Sequence, residues 1–169
     1  MTSVTPLKIL ILCTGNSARS IIGEYLLKTK GKGRFEVHSA GAKPTGRVNP
    51  LALWVLKDRF GIDARDARSK SWDEFKDVRF DGVITVCDNA RESCPLWPGK
   101  PVVAHWGSPD PATVQGSEEE AKRAFVDVAL QINRRVELLC ALPPGSFDEF
   151  RLREIGQAAK LASEAGMAR

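Results

Sequence analysis

Leu7-Lys8-Ile9-Leu10-Ile11-Leu12-Cys13-Thr14-Gly15-Asn16-Ser17-Ala18-Arg19-Ser20 is the stretch whose reading decides the fold. Leu7 to Leu12 is a short apolar run of the kind that forms a central strand covered on both faces. Ser20 to Lys30 reads as a helix, with Ile21, Ile22, Tyr25 and Leu26 available to face a sheet. A loop curled between a strand end and a helix start turns its free N–H groups inward, at the positive end of the helix dipole. Such a loop is a cradle for an oxyanion, so Thr14, Gly15, Asn16, Ser17, Ala18, Arg19 and Ser20 are the expected oxyanion-binding residues. Arg19 adds a planar fork for two oxygens of a tetrahedral anion. Cys13 stands at the floor, where the same donors favour a thiolate nucleophile. A buried structural cysteine beside a surface arginine is the plain alternative for any single cysteine. The strand–loop–helix setting and the small residues between Cys13 and Arg19 argue against it.

The Cys-x5-Arg-Ser segment with Gly15-Asn16-Ser17 resembles the low-molecular-weight protein tyrosine phosphatase superfamily. Features downstream narrow the resemblance to its thioredoxin-coupled arsenate reductase branch.

At 169 residues the chain is expected to form one domain over 1–169, with a C-terminal helix at about 147–165 as a possible appendage. A composition of 43% hydrophobic and 27% charged residues argues against disorder. No apolar run approaches a membrane span and the N-terminus lacks a signal-peptide pattern, so a cytoplasmic protein with no membrane partner is expected. Thiols are kept reduced there, and four cysteines suggest redox or metal chemistry rather than a structural framework. The net charge of +4 suits an anionic substrate. No dense Lys/Arg run is interleaved with aromatics, so no nucleic-acid partner is expected.

Along the chain, Arg34 to Ser39 alternates and reads as a second strand, followed by a loop from Ala40 to Val48. Asn49-Pro50 caps and starts a helix that Gly61 ends in the left-handed conformation. Ser71 to Glu74 fits a capping box for a short helix. Gly82 to Val86 is a third strand and Pro101 to Trp106 a fourth. Asp88 to Lys100, between them, reads as mostly irregular. Ser117 to Glu120 opens a helix running towards Cys140, with Ala121, Phe125, Val128, Ile132, Val136 and Leu139 in one stripe. Ser146 to Glu149 reads as the capping box of the C-terminal helix. Strands alternating with helices predict an α/β fold with a parallel sheet. The resemblance implies three layers: a four-stranded sheet in the order 2-1-3-4 with helices on both faces.

Ligands bind beyond the carboxyl ends of strands in such sheets. Cys13 leaves the first strand, Cys87 the third, and Asp110 follows the fourth, so all three fall on one edge. Cys87 and Cys94 lie seven positions apart in the polar run Cys87-Asp88-Asn89-Ala90-Arg91-Glu92-Ser93-Cys94-Pro95, similar to the redox segment of thioredoxin-coupled arsenate reductases. The resemblance implies a relay. Cys13 attacks arsenate, Cys87 attacks the Cys13 sulfur and expels arsenite, and Cys94 closes a disulfide with Cys87 for thioredoxin or another thiol reductant to open. Zinc, with His105 as a third ligand, is the rival use of these residues; the spacing of the pair argues against it, and no metal is expected. Asp110 maps onto the family's general acid, and otherwise would merely order its Pro-flanked turn. Ala112 stands where the family's tyrosine phosphatases carry an aromatic wall, which favours a small inorganic anion.

The resemblance also implies that Asn16 props the loop and that Ser20 hydrogen-bonds the Cys13 thiolate. Some relatives bind potassium beside the loop; Asn16, Glu24 and Ser39 match part of that site. Ser69-Lys70 stands where those relatives carry Ser-Asp, so an ammonium group could replace the ion and no cofactor is expected. Cys140 reads as core. His38 and His105 read as strand residues with structural partners. The segment from Cys87 to Gly99 is expected to switch between reaching Cys13 and exposing a disulfide, with Leu96 and Trp97 turning from packed to exposed. Two other readings remain: a phosphatase whose paired cysteines protect its nucleophile, and a non-catalytic oxyanion- or zinc-binding regulator.

Overall fold

Two parallel strand ends and a glycine decide where the loop can curl. In the computed structural model, which describes residues 5–143, 145–149 and 151–157, β1 (Leu7–Cys13) lies between β2 (Phe35–Gly41) and β3 (Gly82–Thr85). β4 (Val102–His105) adds to β3, giving the parallel order β2-β1-β3-β4. The order agrees with the sequence reading.

Side-chain parity assigns the two faces of the sheet. Ile9 and Ile11 point towards α1 (Arg19–Lys30) and α4 (Glu118–Cys140): a Cβ at Gly23 would touch both Ile11 and Ile132. α2 (Pro50–Phe60) belongs to the same layer and packs on both helices. The opposite face carries His38, tilted against Phe75 and edge-on to Phe80, and Phe80 meets Trp97 edge-on at 5.9 Å. A single 3-10 turn, Trp72–Phe75, supports that layer. β1 is buried from Ile9 to Cys13 and β3 throughout, as their continuous apolar runs require.

The local signals around α2 are realised: Asn49 accepts from Leu51 N, Pro50 opens the helix, and Gly61 closes it at φ 65°. Elsewhere the boundaries differ for physical reasons. β2 runs on to Gly41 instead of ending at Ser39, because the chain leaving it still bonds the loop, Lys43 N to Thr14 O at 2.9 Å and Thr45 N to Gly15 O at 3.0 Å. α1 begins at Arg19, one residue early, and Ala18 before it offers no capping side chain. The Asp88–Lys100 segment, expected to be mostly irregular, contains a helix α3 (Asp88–Glu92). Only Ala90 of it is buried, too little for a periodic pattern to reveal. Ser71 caps as expected, but Glu74 turns to Arg68 instead of completing the box. At the C-terminal helix Asp148, not Ser146, accepts from Arg151 N at 2.8 Å; residues 151–157 are helical and the expected continuation to about 165 lies outside the described residues.

Gly41 sets the closest approach between β2 and the loop. A Cβ there would lie 2.5 Å from Thr14 O and 3.0 Å from Asn16 N, both backbone atoms. Gly41→Ala is therefore expected to cost about 1–3 kcal/mol in urea unfolding. A variant as stable as the parent would show that the loop yields freely.

Candidate active site

The loop between β1 and α1 wraps around the Cys13 sulfur. Asn16 N donates to Sγ at 3.2 Å and Ser20 Oγ lies 2.9 Å from it. Asn16 holds this curl at φ 45°, a left-handed conformation that asparagine tolerates better than most side chains. Its buried amide donates to Ser20 Oγ at 2.7 Å and to Ser39 Oγ at 3.0 Å, and accepts from Lys70 N at 3.0 Å. Since Asn16 donates to Ser20, the serine hydroxyl proton is free to point at Cys13. Ser39 in turn donates to the buried Glu24 carboxylate.

Lys70 enters this network from beneath. Its ammonium lies 3.7 Å from Glu24, 3.4 Å from both Ser39 Oγ and Asn16 Oδ1, and 3.0 Å from Arg68 O. Burial pulls its pKa below the usual lysine range, with Glu24 opposing.

Arg19 bridges to the loop after β4. It donates to Ser108 O at 2.9 Å and faces the Asp110 carboxylate at 3.5 Å. Asp110 orders its turn, the plainer of the two roles weighed for it: its other oxygen accepts from Ala112 N at 3.0 Å at the start of the turn at Pro111. Its side chain is 37% exposed at the mouth of the site, while that of Arg19 is 13% exposed.

Cys87 occupies the cap position of α3, and Thr14 Oγ1 lies 3.2 Å from its sulfur. The second thiol therefore stands at the rim of the cradle. Cys94 is half-buried and accepts from Trp97 Nε1 at 3.4 Å. Burial pushes its thiol pKa up, with that N–H opposing. All four cysteines are free thiols. Trp97 is packed as expected, but Leu96 is already fully exposed: proline on one side and a buried indole on the other leave it facing water. Cys140 ends α4 half-buried, and His38 bonds Glu36 within β2.

His105 ends β4 with structural partners, as expected; that one of them is Asp88, in the first turn of α3, could not be read from the sequence. Burial lowers its pKa below the ordinary histidine value, with Asp88 opposing. As neutral imidazole it donates from Nε2 to Asp88 Oδ1 at 2.9 Å and accepts at Nδ1 from Thr85 Oγ1 at 2.7 Å. Both ring nitrogens are hydrogen-bonded within the protein; among the described residues no group of three or more His, Cys, Asp or Glu is placed to hold a metal ion. A hydroxyl at the carboxyl end of a buried strand, Thr85, was the available signal.

Residues 8–142 match the family described as low molecular weight phosphotyrosine protein phosphatase. The chain belongs to this phosphatase family. Over 129 residues it is 37% identical to an arsenate reductase of Bacillus subtilis, and 36% identical to one of Halalkalibacterium halodurans. In each case the match covers 76% of this chain and 91% of the relative. Among solved structures, an arsenate reductase in its oxidized state superposes with a TM-score of 0.67 at 29% identity, covering 79% of this chain and 96% of that one. An arsenate reductase in a phosphate-binding state gives 0.64, also at 29% identity, over 80% and 97%. The sequence and the fold are thus similar to those of proteins named for arsenate reduction. Among the described residues no helix is long and apolar enough to cross a membrane.

The His105 contacts carry a pH sign. A histidine whose folded pKa lies below its unfolded value contributes fully above about pH 6.5 and loses that contribution as pH falls. His105→Gln should therefore cost more stability at pH 7.5 than at pH 5.5 by urea unfolding. A larger cost at the lower pH would reverse the assignment.

Proposed function

We propose that this chain reduces arsenate to arsenite by thiol chemistry at the Cys13 loop. The observation that carries this reading is the Thr14 hydroxyl touching Cys87, a second thiol held at the cradle's edge. Ester hydrolysis needs no such thiol, whereas reduction by successive attack on sulfur does.

The loop N–H groups and Arg19 hold the oxyanion while the Cys13 thiolate attacks arsenic, and the departing oxygen leaves as water with a proton from Asp110. Cys87 thiolate then attacks the Cys13 sulfur. The arsenic–sulfur electron pair passes to arsenic, which leaves as arsenite at the lower oxidation state, and a Cys13–Cys87 disulfide remains. Cys94 attacks Cys87, freeing Cys13. A dithiol of the thioredoxin kind opens the Cys87–Cys94 bond in a compartment that keeps thiols reduced, the cytoplasm. Burial holds the Cys94 thiol above its ordinary pKa, so exposing its sulfur to water favours the attacking thiolate. The exposed Leu96 beside it offers the reductant an apolar contact.

Removing one thiol at a time tests the order. Cys13→Ser should abolish turnover. Cys94→Ser should release about one arsenite per protein and stall as a Cys13–Cys87 disulfide. Cys87→Ser should release essentially none catalytically. Peptide mapping of the oxidised parent that finds a Cys13–Cys94 bond would reverse the order.

The buried ammonium of Lys70 takes the place of a bound monovalent cation, since it neutralises Glu24 while bonding Asn16 and Ser39. The parent should then turn over equally in sodium and potassium buffers. Lys70→Ser should lose roughly 3 kcal/mol of stability and gain a dependence on potassium. Potassium dependence in the parent would contradict the substitution.

A further inference from the structure

α4 carries a residue that breaks its apolar stripe. Arg135 lies three positions after Ile132 and four before Leu139, on the core-facing side, and is only 2% exposed. No carboxylate pairs with it among the described residues. Its Nη1 instead donates to Trp106 O at 2.8 Å, Gly107 O at 3.0 Å and Ser108 Oγ at 3.0 Å. Nη2 donates to Gly156 O at 3.3 Å. Burying a guanidinium against neutral oxygens is costly, so a position that only needed filling would favour an apolar side chain.

Those oxygens belong to two segments. One is the start of the loop carrying Asp110; within it Ser108 O also accepts from Arg19, so Arg135 and the cradle arginine grip the same residue. The other is helix 151–157, which lies beyond the stretch matched by the phosphatase family. This helix seats tightly on the same loop. Trp106 Nε1 donates to Leu152 O at 3.0 Å, and a Cβ on Gly156 would lie 2.8 Å from His105 O and 2.9 Å from Trp106 Cδ1. Gly107 to Asp110 have no helix or strand of their own to hold them.

We propose that Arg135 is a positioning residue for the Asp110 loop, with helix 151–157 as the outer half of its seat. The inference rests on Asp110 acting as the proton donor. An acid displaced by about 1 Å can lose on the order of 100-fold in rate, which is the leverage a fixed loop supplies. Arg135 thus acts on proton delivery, through loop position, and not on oxyanion binding.

A double-mutant cycle separates this from a merely structural role. Arg135→Met should lower arsenate kcat roughly 10- to 100-fold in the parent, but less than about threefold in an Asp110→Asn background, because the group it positions is already disabled. Inhibition by inorganic phosphate should change less than about threefold. Arg135→Lys should fall between the two. Gly156→Ala, which touches no catalytic group and pushes the helix off its seat, should show the same coupling with a smaller loss. Hydrogen exchange gives an arm independent of arsenate chemistry: both variants should speed exchange across Gly107–Ala112 and leave Thr14–Ser20 unchanged. Equal kcat losses in both backgrounds, phosphate inhibition weakening in step with kcat, or unchanged exchange at Gly107–Ala112 in folded Gly156→Ala would each overturn the proposal. If the parent binds phosphate yet releases no arsenite, the functional reading fails, and the exchange arm still decides whether Arg135 holds the loop.

Discussion

Asn16 is the side chain on which the site depends. A loop that curls back so that a backbone N–H meets the Cys13 sulfur must turn against the preference of L-residues, and Asn16 makes that turn at φ 45°. The turn persists because a buried amide over-determines it: donors go to Ser20 and Ser39, and its carbonyl oxygen takes the Lys70 N–H. Through Ser20 the same amide reaches the Cys13 sulfur. Backbone shape and thiol environment are therefore set by one hydrogen-bond network.

That network is also a charge-balancing device. Glu24 is buried 15 positions from Ser39, which bonds it, and a buried carboxylate needs a cation. Lys70 supplies one from a loop on the far side of β2. A covalently attached ammonium pays its ordering entropy during folding, whereas a free ion must be recruited at each encounter. The cradle is thus preorganised by the fold.

The four residues from His105 to Ser108 join the two halves of the chemistry. His105 ties the first turn of α3, and with it Cys87, to the end of β4. Trp106, Gly107 and Ser108 offer their oxygens to Arg135, and Ser108 also takes Arg19. α3 and the Asp110 loop thus share one backbone segment between them. Helix 151–157 packs on this segment at Gly156, so an element outside the matched family region rests against His105 and Trp106.

Local signals were legible wherever neighbours in sequence decide the structure. Continuous apolar runs announced β1 and β3; Asn49, Pro50 and Gly61 announced both ends of α2; and chain order alone placed Cys13, Cys87 and Asp110 at the carboxyl edge of the sheet. Periodicity could not reveal α3, whose five residues bury one side chain, nor the choice of Asp148 over Ser146 as a cap. The pairings that complete the site were likewise invisible. Thr14 with Cys87 and His105 with Asp88 span 73 and 17 positions, and Arg135 reaches Trp106 across 29. What sequence determines by itself is which segments are strands or helices and which end of a strand a reactive group leaves, because those follow from short-range backbone and burial preferences. Which hydroxyl meets which sulfur, and which buried charge answers which, only the packed fold decides, because a hydrogen bond depends on distances that chain order does not encode.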